Sequence, residues 1–134
     1  MTSPALPPRV SADRLARLAA EVREIRHGVR QAPRGLARRW LHGPQFIDII
    51  VDYEGDEIIC LEITYLGNWL IFEDQRLATG QTDELDADQG HPQSRLIDPH
   101  ERTHDPILAG ARVLLNNLKD QSLGQQLLAL LPPD

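Results

Sequence analysis

The sequence predicts an α+β fold, an antiparallel β-meander of three to four strands covered on one face by an N-terminal helix and C-terminal helices. Three observations lead there. Apolar residues recur at three- and four-residue steps over 12–30, and the same spacing returns after Pro106. Between Phe46 and Glu73 they alternate instead, and short turn sequences separate the alternating runs.

Met1–Val10 holds three prolines and no apolar run, which predicts a disordered tail and not a signal peptide. Ser11 is placed as an N-cap, with Asp13 in the first turn. Leu15, Leu18, Ala19, Val22, Ile25 and Val29 then mark an amphipathic helix over 12–30, bounded by Gly28 and Pro33. Phe46–Tyr53 reads as a strand with Ile47, Ile49, Val51 and Tyr53 on one face. Glu54-Gly55-Asp56 turns into Glu57–Tyr65, whose Ile59, Leu61, Ile63 and Tyr65 share a face. Leu66-Gly67-Asn68 turns again into Trp69–Glu73, and Arg76–Thr79 offers a fourth strand. Loops this short make neighbouring strands antiparallel. From Gly80 to Pro106 the pattern gives way to a long acidic loop. Leu108, Ala111, Leu115 and Leu118 then restore helical spacing. Ser122 is placed as a second N-cap before Leu123, Leu127, Leu128 and Leu131. The division expected is a tail over 1–10 and one domain over 11–134.

Length and composition suit a single globular domain: 134 residues, 41% hydrophobic and 25% charged. Cys60 is the single cysteine, so neither an intrachain disulfide nor a cysteine zinc cage can form. No stretch approaches 18 consecutive apolar residues, and the expected location is the cytoplasm, away from membranes. A net charge of −6 argues against a protein held to nucleic acid by its overall field. The charge is unevenly spread, however. Residues 1–46 carry nine arginines against three acids, and residues 47–134 carry five basic residues against seventeen acids. The basic segment also carries an apolar stripe, which favours two halves that attract each other within one fold.

Several short patterns bear on chemistry. His100-Glu101-Arg102-Thr103-His104 has the H-E-x-x-H spacing that sets two imidazoles on one helical face for zinc. Pro99 and Pro106 bracket it, Pro106 pushes Asp105 out of helical geometry, and only Asp105, Asp120 or Asp134 could follow as a third ligand. His100 and His104 are therefore weak metal candidates in a solvated loop. Asp83–Gly90 has the look of an acidic calcium loop, but Gln89 and Arg95 stand where an EF-hand needs glycine and glutamate. Mid-strand Cys60 reads as a packed thiol, and Trp40 and Trp69 read as core or rim aromatics. No phosphate-binding glycine loop is present and no cofactor is expected.

Asp48 or Asp52 on one strand, followed by Glu62-Ile63-Thr64 on the next, resembles the metal-binding core of the PD-(D/E)xK nuclease superfamily. That resemblance implies Asp48, Asp52 and Glu62 as carboxylates around Mg²⁺, with Glu24 on the preceding helix as a further acid. The family's catalytic lysine falls on Thr64, which implies an inactive relative. Separately, Arg39-Trp40-Leu41-His42, the strand Phe46-Ile47-Asp48-Ile49-Ile50-Val51, and Asp105-Pro106-Ile107-Leu108 resemble motifs of a group of small bacterial proteins. Their shared features are a Trp-Phe/Leu-His/Ser element, an Asp-containing hairpin and Pro-Ile-Leu before terminal helices. Leu61-Glu62-Ile63-Thr64-Tyr65 stands where that group has Gln-Leu-Cys-Tyr. The resemblance implies the α+β order and no activity.

The function expected from these residues is a non-enzymatic protein-binding module, with the divergent nuclease-like domain as the alternative. Its contacts are expected through Asp83, Glu84, Asp86 and Asp88, or through the arginine-rich helix with Arg14, Arg17, Arg23 and Arg30. A homo-oligomer is also compatible with the sequence.

Overall fold

The computed structural model describes residues 6–25, 36–81 and 105–132, together with the backbone of 93–96. Residues 6–10, expected within the tail, make a turn in which the Val10 N–H donates to the Pro7 carbonyl at 3.1 Å, and Val10 packs against the core. The Ser11 hydroxyl then accepts from the Arg14 N–H at 3.1 Å and starts α1 (Ala12–Ala19), with Asp13 in its positive first turn. Leu15, Leu18 and Ala19 are buried.

The helix stops at Ala19, well short of residue 30. The Glu21 and Val22 N–H groups close the turn onto the Leu18 and Ala19 carbonyls at 3.0 and 3.1 Å, and Arg23–Ile25 continues as strand β1. Val22 stays buried at the spacing that suggested helix, because a turn after Ala19 returns it to the core. Ile25, β-branched and half-buried, gains strand pairing with Trp40 instead. The rest of the expected helix, with Gly28, Val29, Arg30 and Pro33, lies outside the described residues.

Six further strands follow: β2 (Ala37–Gly43), β3 (Ile47–Glu54), β4 (Glu57–Tyr65), β5 (Asn68–Glu73), β6 (Arg76–Gln81) and β7 (Gln93–Leu96). Each pairs antiparallel with its neighbour in sequence, giving a seven-stranded sheet in the order β1 to β7. The meander is thus larger than the three to four strands expected. Two-residue turns join β3 to β6, with positive φ at Gly55, at Leu66 and Gly67, and at Asp74 and Gln75. Such backbones match the twist of the strands they connect. Within the expected 80–106 loop, Gly80 and Gln81 extend β6, and β7 pairs with them through Ser94 and Gln93. The acidic residues Asp83, Glu84, Asp86 and Asp88, and both histidines of the H-E-x-x-H pattern, lie outside the described residues.

Asp105 caps α2 (Pro106–Asn116): its Oδ1 accepts from the Ile107 and Leu108 N–H groups at 2.9 and 3.1 Å. Its Oδ2 accepts from the Thr79 hydroxyl at 3.1 Å, which ties the start of the helix to β6. The last helix, α3 (Gln121–Leu128), is capped by Asp120 rather than Ser122, with Asp120 Oδ1 accepting from the Leu123 N–H at 3.0 Å. α1 packs on α2, which lies on β5 and β6. One core joins Leu15 and Leu18 of α1, Ile49, Leu61 and Leu70 of the sheet, and Leu108, Leu115 and Leu127 of α2 and α3. The expected layering, helices from both ends of the chain over one side of an antiparallel sheet, is what this core holds together. Among the described residues, no helix is long and apolar enough to cross a membrane.

Candidate functional site

Residues directly opposite in an antiparallel pair share a face, so the register sorts the side chains. The row Leu41, Ile49, Ile63 and Leu70 points to the helices and is buried. The neighbouring row, Trp40, Ile50, Glu62 and Ile71, points the other way. Trp40, Ile50, Ile71 and the nearby Trp69 are half-buried, and none of them belongs to the core cluster. This second side of the sheet is called the open face here, since the described helices all lie on the first.

Two polar groupings frame the row of Trp40, Ile50, Glu62 and Ile71, in which Glu62 is the one charged residue. Toward the β2–β3 turn, Asp48 Oδ1 accepts from Trp40 Nε1 and from His42 Nδ1, each at 2.7 Å. A carboxylate only accepts, so Nδ1 carries the imidazole proton. The Trp40 and His42 rings meet edge to face with centroids 5.8 Å apart. Toward the opposite end, Arg38 grips Asp52 with both prongs, Nε to Oδ1 at 2.6 Å and Nη2 to Oδ2 at 2.9 Å. That hydrogen bond raises the Arg38 pKa against the opposing effect of burial.

Cys60 lies directly across from Asp52, and its thiol donates to Glu73 Oε2 at 3.4 Å. Burial first, then the Glu73 carboxylate, pushes its pKa up to about 12, so near neutral pH it stays a thiol and is a poor nucleophile. On the same face, the buried Trp69 Nε1 has no hydrogen-bond partner among the described residues.

The carboxylates of the nuclease-like pattern do share the open face. Asp48 stands opposite Thr64, Ile50 opposite Glu62, and Asp52 opposite Cys60. Glu62 is therefore a diagonal neighbour of each aspartate, while both aspartates already accept from Arg38 or from Trp40 and His42. Among the described residues, no three metal-ligating side chains come together. Glu24 departs from the expectation most clearly. It sits on β1, not on a helix, in register with Leu41 on the helix side of the sheet. There it accepts from Arg39 at 2.7 and 3.2 Å, and Arg39 also reaches Asp120 at 3.6 Å. The Glu24 hydrogen bond raises the Arg39 pKa most. Asp105, a possible third ligand for the H-E-x-x-H pattern, is occupied as the cap of α2.

One exposed residue escaped the sequence reading. Phe46 was expected to open a strand, but it lies in the 3-10 turn Pro44–Phe46 at the tip of the β2–β3 hairpin, 84% exposed. Gln45 and Phe46 both have left-handed backbones, φ 58° and 62°. That conformation is unfavourable for bulky L-residues. Arg14 of α1 holds the tip by donating to Gln45 Oε1. No periodicity reveals an exposed apolar residue at a turn, so the available signal was only the glycine and proline at 43 and 44. No protein-family model, no curated protein and no solved structure matches the chain.

Proposed function

We propose that this chain is a non-enzymatic protein-binding module that works through the open face of its sheet and the adjoining β2–β3 tip. The observation that carries this reading is the exposed Phe46, held in a strained turn at the end of a face whose central row is Trp40, Ile50, Glu62 and Ile71. Large exposed aromatics beside an apolar patch are typical binding anchors. Strain that local structure does not require is a pointer to function. Covering the face would leave Asp52 neutralised by Arg38 and Asp48 Oδ1 bonded to Trp40 and His42, while Glu62 in the central row is a carboxylate that a partner must meet.

Site-specific photo-crosslinking tests it. A photoreactive amino acid at position 71 or 46, introduced in cells, should give a discrete adduct of defined mass. The same residue at position 125, exposed on α3, should give none. Absence of adducts at 71 and 46 overturns the reading. So does magnesium-dependent phosphodiester cleavage by the purified protein that Asp48→Asn abolishes, which would assign the face to the nuclease-like chemistry.

A further inference from the structure

We draw no further inference here: the strongest candidate, the open face of the sheet with the adjoining Phe46 tip, carries nothing beyond the reading above, because its tip end holds as many acids as cations and nothing among the described residues shows what covers it.

Discussion

Asp52 lies almost out of solvent on β3, with its side chain 6% exposed, and both of its oxygens are held by Arg38. Pairs on an open surface contribute little, but a buried carboxylate that loses its cation keeps its full desolvation penalty. Arg38→Met should therefore cost about 3–5 kcal/mol in urea unfolding. Adding Asp52→Leu should recover most of that loss, since the double variant replaces an ion pair by apolar contact of similar volume. An Arg38→Met protein within about 0.5 kcal/mol of wild type would mean that water, not the guanidinium, satisfies Asp52. Tyr65 shows the same dependence on surroundings. Its hydroxyl donates to the Ile107 carbonyl at 2.7 Å, and burial, reinforced by Asp105, raises its pKa and keeps it neutral.

Docking of α2 rests on an absent side chain as much as on the contacts present. Gly110 faces the Tyr65 ring so closely that a Cβ there would stand 2.7 Å from Cζ and 3.0 Å from Cε2. The ring is fully buried and its hydroxyl is committed to the same helix, so it has no room to retreat. Two effects compete in Gly110→Ala. Alanine favours helix by about 1 kcal/mol, whereas overpacking a filled core costs about 1–3 kcal/mol. The clash should prevail, with a net loss of roughly 1 kcal/mol in thermal unfolding. A net gain would show that the α2–sheet contact yields more easily than its packing implies.

At the scale of the molecule, every strand pairs with its neighbour in sequence, and the helices join one core with the sheet. The pairings from β3 to β6 close two-residue turns, which favours rapid folding of that part, and a shared core favours all-or-none unfolding. Trp40 and Trp69 both sit on the open face, so fluorescence reports the sheet while circular dichroism near 222 nm reports mainly α1–α3. The two signals should give coincident urea transitions at one fixed protein concentration. Separate midpoints would mean that the helical layer leaves an intact sheet.

Periodicity in the sequence marked the strands β3–β5, most of β6, the turns between them, the Ser11 cap, and the apolar faces of α2 and α3, but it put Ile59 on the core face where a register shift between Asp52 and Tyr53 brings Ile58 to the core instead. These elements bury one face and expose the other, and burial is what a local pattern records. Leu15, Leu18, Ala19 and Val22 carried a helical pattern correctly as far as burial goes, yet the chain leaves the helix after Ala19. Only pairing with β2 decided that, because β1 takes its partners from residues far along the sequence. β2 itself was hidden because Arg39 stands on the helix side beside Leu41 while Trp40 lies on the other face, so its apolar residues do not alternate. The carboxylates at 48, 52 and 62 were legible as residues sharing one face. Their roles were not, since Trp40, His42 and Arg38 come from β2, and a hydrogen bond across strands leaves no local trace in sequence. Phe46 shows the limit most plainly: the alternating run placed it at the start of a strand, and only the tertiary path of the hairpin sets it in a turn exposed to water.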